Sequence, residues 1–274
     1  MNSLNRKSTL VFAVLVCLLG VSMHNFKSSE PKKNFSADNY VHDVLRELGD
    51  SLPSYYPEKL DPKQVEMGKE LIFKGRTTDP RGGKSAYISL YYMCTNCHNT
   101  VIEEPNIAIN SDPEARLDYA IKNKLPFLQG TTFYGITNRE SWYNDDYYKK
   151  YGDLVKAAKH DVREAIQLCA KECSKGRYLE EWEETAILYY YLSNSYRLSD
   201  IFSATEIETL NQRATSKNNY PALIALIKSK YALKSPAAFV EPPYDKGNSL
   251  PTGDPARGAA IYELSCQTCH KAYG

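Results

Sequence analysis

The chain has 274 residues, 24% of them charged and 42% hydrophobic, and its 34 Lys and Arg nearly balance 33 Asp and Glu for a formal net charge of +1. This composition excludes a disordered tail and a collagen-like rod, and the balance leaves no long-range pull toward nucleic acid or an anionic membrane surface. The length suits one large domain or two modest ones.

The chain opens MNSLNRKSTLVFAVLVCLLGVSM, with Arg6 and Lys7 ahead of an apolar run from Leu10 to Val21 and the small residues Gly20 and Ser22 at its end. A positive segment, an apolar run and a small-residue cleavage site read as an export signal over residues 1–23, and so as a periplasmic protein. The run is shorter than the roughly 20 residues a spanning helix needs, which leaves an uncleaved membrane anchor as the alternative. Cys17 follows Val16, a poor fit to the small residue that lipid attachment prefers, and reads as a hydrophobe of the signal. Export bears on the other cysteines, because thiols outside the cytosol tend to be oxidised or bonded to something.

Residues 24–39, polar and without periodicity, read as a flexible linker, and a first folded domain is expected over 40–200. PKQVEMGKELIFKG predicts a helix, with Pro62 near its start and Gly75 at its end. TTDPRGGKSAYIS is a loop. Its RGGKS falls short of a phosphate-binding loop, because the residue five before Gly83 is Thr78.

CTNCH follows at Cys94 to His98, and CQTCH repeats the pattern at Cys266 to His270. C-x-x-C-H is the attachment sequence of c-type haem: two thiols join the porphyrin vinyl groups as thioethers, which holds the next histidine under the iron. The expected cofactors are therefore two covalently bound haem c groups, attached through Cys94, Cys97, Cys266 and Cys269, with His98 and His270 as iron ligands. A zinc site built from the four paired thiolates is one alternative, and a thioredoxin-like dithiol another; no βαβ pattern supports the second.

After a Tyr-rich stretch, SWYNDDYYKKYGDLVKAAKHD, the chain from about Gly152 to Leu198 reads as strongly helical. A helix from Asp161 to Cys173 would place Val162, Ala165, Ile166, Cys169 and Cys173 on one face, with Gly176 free to close it in the left-handed conformation. EEWEETAILYYYLS is another helix, with Trp182, Ala186, Ile187 and Tyr190 inward. ATEIETLNQRA and PALIALIKSKYAL are helical too. With the Pro-rich KSPAAFVEPPYDKGNSLPTGDP they form an expected linker over 201–252. A second haem domain starts at 253 with the helix RGAAIYELS, and the chain stops four residues after His270, short of the helices such a domain normally adds. No strand pattern longer than a few residues appears. The expected fold class is mainly α, with cytochrome c-type haem domains, the second truncated.

Candidates for a second iron ligand are Met67, Met93, His24, His42, His160, Cys169 and Cys173, besides the lysines. Met93 is tethered beside its own attachment site, Met67 suits a core position, and His160 at a helix end suits a surface cation. Cys169 and Cys173, four apart on a helix, are badly placed for a disulfide, and composition alone leaves them as small buried hydrophobes. A thiol facing iron would instead bind as thiolate.

CAKECSKGRYL followed by EETAILYYYLS resembles the segment after the first haem in dihaem thiosulfate dehydrogenases, and more distantly the SoxA-type sulfur-oxidising cytochromes. The spacing from Cys169 to Gly176 and Leu179 carries the likeness. The resemblance implies that Cys169 is the distal ligand of the haem held by Cys94, Cys97 and His98, at which a small sulfur oxyanion such as thiosulfate is oxidised. TFYGITNRE also looks like the family's Gly-x-x-x-Arg stretch, which would put Arg139 near haem propionates or an anionic substrate, as a catalytic residue. Cys173 stands where the family is expected to carry serine, and the Tyr-rich stretch is an insertion. The rival is a pure electron-carrier cytochrome with no substrate of its own. Either protein would meet a soluble or membrane-bound redox partner.

Overall fold

Asp61 and Pro62 start the helix that organises the fold. The Asp61 carboxylate accepts from the Lys63 amide, Pro62 takes the first helical position, and Gly75 ends the helix in the left-handed conformation at φ 70°. In the computed structural model, which describes residues 33–109, 112–235 and 252–270, this helix is the second of the ten among the described residues. In chain order α1 is Val41–Glu47, α2 Pro62–Lys74, α3 Pro113–Asn123, α4 Asp145–Tyr151 and α5 Val162–Leu168. They are followed by α6 Glu181–Ser193, α7 Leu198–Ile201, α8 Ala204–Arg213, α9 Tyr220–Lys228 and α10 Pro255–Leu264. The chain is mainly α, and β-pairing among the described residues is confined to isolated bridges such as Tyr40 with Arg197. No described helix is long and apolar enough to cross a membrane. The signal at 1–23 with Cys17, His24, most of the Pro-rich run and the last four residues lie outside the described residues, and of the N-terminal unit, 1–34, only residues 33 and 34 are described.

The remainder, 35–274, is a second unit with two apolar cores. The first forms where α2 crosses α6. Met67, Leu71 and Ile72 meet Ala186, Ile187 and Tyr190 there. Gly68 is the contact point, since a Cβ on it would lie 1.9 Å from the Ala186 carbonyl oxygen. Only a residue without a side chain lets the two backbones approach this closely. Met67 is buried in this core, as its place on the inner stripe predicts.

The second core draws on residues from both stretches expected as linkers. Phe35 is buried with Val41, Val44 and Leu45 of α1, and these pack with Ile207 and Leu210 of α8 and Leu223 and Ile227 of α9. The helical part of the expected 201–252 linker is therefore structural up to Ser235. Its inward positions on α8 and α9 recur at three- and four-residue spacing, the signature of a helix that buries one face. Phe35, inside the expected 24–39 linker, is likewise part of this core.

α10, which leads into the second C-x-x-C-H, lies against α3. Arg257 pairs with Asp118 at 2.9 Å, and the Phe127 amide donates to the Leu264 carbonyl at 2.9 Å.

Candidate functional site

Both C-x-x-C-H motifs adopt the same single turn. Residues Cys94–Asn96 and Cys266–Thr268 are 3-10, and each histidine amide reaches back to the carbonyl of the first cysteine: His98 to Cys94 at 3.1 Å and His270 to Cys266 at 2.8 Å. In the first turn the Asn96 side chain also accepts from the Met93 amide at 2.7 Å. All four cysteines are free thiols.

The first histidine is held from three sides. His98 Nδ1 lies 2.6 Å from the Thr131 carbonyl oxygen, which can only accept, so Nδ1 carries the proton and Nε2 keeps a lone pair. Phe133 stacks on the ring at 4.4 Å and 17°. Gly130 closes the third side, since a Cβ there would come within 2.3 Å of His98 Cε1. The loop is tied to the motif by hydrogen bonds from Gly130 to Cys97 (2.8 Å) and Phe133 to Asn99 (2.9 Å). Buried Glu103 anchors it further by accepting from Thr132 N and Asn99 Nδ2, both at 2.7 Å. Burial holds the His98 pKa below its usual value, against the opposing pull of the Thr131 carbonyl.

The helix that carries the other two cysteines departs from the expected one. α5 ends at Leu168, and Cys169–Cys173 is a π-helical turn, closed by Ser174 N donating to Cys169 O at 2.9 Å. The residue that turns left-handed is Lys175, φ 54°, rather than Gly176. Gly176 is needed for another reason: a Cβ would sit 2.2 Å from the Ile88 carbonyl oxygen, on the loop leading to Cys94. The π turn is thereby pinned against the segment that enters the first motif.

Cys169 is half-buried and Cys173 exposed. The Cys169 thiol is hydrogen-bonded to Cys173, which together with burial and the neighbouring thiols Cys173, Cys94 and Cys97 pushes its pKa well up. Cys173 is brought down to about 7, chiefly by the hydrogen bond from Cys169, with burial opposing and a hydrogen bond from Tyr143 assisting. Cys97 feels Cys269 and Cys173, so thiols of both motifs and of the π turn act on one another. Buried Tyr191 is raised by burial and by Cys94 and Cys169.

Arg139 lies elsewhere. It is buried, its Nη1 donates to Thr131 Oγ1 at 2.9 Å, and the charges acting on it are those of Tyr196, Glu103 and Glu104. It stands behind the loop that holds His98 and is not brought together with the Cys169 pair. His42 is buried beside Tyr40 and Tyr56 and His160 lines a cavity next to it, so neither belongs to the thiol cluster. Met93 is exposed at the start of the first turn.

The donor set fits covalently attached haem: two free thiols and an imidazole lone pair on one turn, with a further thiol nearby. The surface fits as well. Leu90 (82% exposed), Tyr91, Tyr92 and Met93, leading into the motif, and Val101 just beyond it form an apolar run open to solvent, the kind of patch that a bound group covers. The four-thiolate zinc alternative needs a convergence that is not seen, since among the described residues no three His, Cys, Asp or Glu gather to hold a metal ion. Sequence reasoning passed over Gly130, Thr131, Phe133 and Tyr143. The QGTTF run between Gln129 and Phe133, lying downstream of a C-x-x-C-H, is the signal that could have found the loop. No protein family profile, characterised protein or solved structure matches the chain.

Proposed function

We propose that this protein is an exported dihaem c-type cytochrome that transfers electrons, and that its first haem is ligated by His98 and Cys169 and oxidises a small sulfur oxyanion such as thiosulfate. The observation that carries the reading is one turn built twice, the first copy with its histidine pinned at Nδ1 and with Cys169 close enough to feel both attachment thiols. Cys94 and Cys97 would hold the first haem, Cys266 and Cys269 the second. When bound, haem supplies a one-electron store at each motif. The protein's own part is positional. Thr131 fixes the His98 tautomer and makes the imidazole a stronger donor. The π turn presents Cys169 toward the same turn, and Cys173 shares a hydrogen bond with it. Joining two thiosulfate ions through a new S–S bond releases two electrons, which matches two one-electron centres. Arg139, behind the proximal loop, suits charge balance beside a haem carboxylate better than substrate binding.

The test is electron paramagnetic resonance of the oxidised protein and of Cys169→Ala. The reading expects a thiolate-ligated low-spin signal that disappears in the variant while both haems stay attached, and thiosulfate-dependent reduction that disappears with it. A spectrum without thiolate at any redox poise returns Cys169 to core packing. The relay cytochrome without a substrate is then the better account.

A further inference from the structure

The apolar run that enters the first motif belongs to a larger exposed surface. Ser89 Oγ donates to the Ser174 carbonyl at 2.7 Å, and the Arg177 guanidinium donates to the carbonyls of Ala86, Tyr87 and Tyr178 at 3.0, 3.2 and 3.0 Å. These bonds set residues 86–93 beside the chain that leaves the π turn. Tyr87, Leu90, Tyr91 (74% exposed) and Tyr178 (65%) therefore open to solvent from neighbouring segments. Large apolar side chains gathered in the open in this way, rather than scattered singly, mark a binding surface.

Cations frame the rings. Arg76 Cζ lies 4.2 Å from the centre of the Tyr87 ring, and Lys171 Nζ lies 5.6 Å from that of Tyr178. Neither has an ion-pair partner among the described residues, and nor do exposed Lys84 and Lys175. Most carboxylates beside them are engaged. Glu70 holds Lys74 at 2.7 Å, Glu183 holds Arg177 at 2.6 Å, and Asp79 accepts from the Arg81 and Gly83 amides of its own loop. Glu180 accepts from the Trp182 indole. Glu172 and Glu181 remain exposed, two negative charges against four positive.

The chemistry of the face narrows what covers it. Tyrosines are large, stiff and half-polar, the side chains that protein-binding surfaces favour, and Arg joins them at binding hot spots. A membrane-surface site is built instead on an amphipathic helix with Lys and Arg along its polar side, whereas these residues stand on loops and a π turn. The unmatched charge is positive, so the complementary surface is acidic. With a net charge of only +1, the molecule exerts little long-range attraction, and these cations act at short range around the rings.

We propose that this face docks an acidic protein, with Tyr87 and Tyr178 as anchors and Arg76, Lys84, Lys171 and Lys175 as the charges that steer it. The face runs into Cys94, so on the dihaem reading the docked protein is the one that takes the electrons; that role rests on the reading, whereas docking is tested by binding alone. The probe is a fluorescein-labelled helical peptide of Glu and Leu, with a Lys and Leu peptide of equal length as counterpart. Binding to the purified protein is followed by stopped-flow anisotropy. The Glu peptide should bind, more weakly as salt rises, and the Lys peptide should not. Lys84→Glu combined with Lys171→Glu should slow association and flatten the salt dependence. Tyr178→Ala, at an exposed position, should speed dissociation and weaken binding about tenfold. Arg213→Glu, the same reversal of sign at the end of α8, should do neither, and circular dichroism should match the parent in every variant. Failure of the Glu peptide to bind, equal binding of the two peptides, or binding indifferent to Tyr178→Ala overturns the assignment. Tighter binding to phosphatidylglycerol vesicles than to the peptide would overturn it in favour of a membrane contact, and a dimer in sedimentation that Tyr178→Ala dissolves would overturn it in favour of a second copy of the chain. Docking by a preparation that carries no haem would keep the face and overturn only the electron-taking role.

Discussion

At the scale of single residues, the histidine that would meet iron depends on a neighbour with no chemistry of its own. A Cβ at Gly130 would be 2.3 Å from His98 Cε1 and 2.5 Å from Nδ1. No rotation of so small a group relieves that overlap. Gly130→Ala should therefore displace the imidazole from Thr131 and cost about 1–3 kcal/mol of stability. On the proposed dihaem reading the expected outcome is altered absorption from the first haem with the second still attached, read by haem content and visible spectra, together with a lower melting temperature. Unchanged spectra would show that the ring is not constrained from this side. Both thiols and the histidine were legible in the sequence, because C-x-x-C-H fixes them within one turn. The loop at 130–133 was not, because it reaches His98 across some thirty residues through backbone atoms, and a carbonyl acceptor leaves no residue-type signature. Arg139 stood out in the sequence for its charge, whereas its bond to Thr131 Oγ1, in the loop that holds His98, is a contact no motif announces.

At the scale of elements, propensity and periodicity located α2 and α6, and capping explains why: Asp61, Pro62 and Gly75 are start and stop signals that act locally. They could not tell that the two helices cross at Gly68, since this depends on which residues face each other. A methyl group on Gly68 would lie 1.9 Å from the Ala186 carbonyl oxygen, so Gly68→Ala must push α2 off α6, and the core of Leu71, Ile72 and Ile187 with it. A loss of about 3 kcal/mol is expected, measurable as a lower denaturation midpoint at unchanged slope. A variant as stable as the parent would mean that the helices can slide apart freely. The π turn was also invisible, because an α-helix and a π turn over five residues share nearly the same apolar pattern. What selects the wider turn is tertiary: Gly176 backs onto Ile88 O, and Arg177 N donates to the same carbonyl at 3.0 Å.

At the scale of the whole molecule, the second core binds the chain's two halves together, and α1 is its keystone. His42, in the middle of α1, is buried and held far below the usual imidazole value, at about 3, by burial and by the Arg46 charge. The consequence has a definite sign. Between pH 3 and 6.5 the unfolded chain binds a proton at this position and the folded chain does not, so this group's contribution to stability is complete above 6.5 and drains away as the pH falls toward 3. The slope approaches about 1.4 kcal/mol per pH unit. In His42→Gln that slope is removed, while Asp43, Arg46, Tyr40 and Tyr56, the groups around the ring, remain in both chains and largely cancel from the comparison. Denaturant unfolding of both proteins between pH 7.5 and about 4.5 should therefore show the parent losing about 2.7 kcal/mol more than the variant. Parallel curves would place His42 in contact with water.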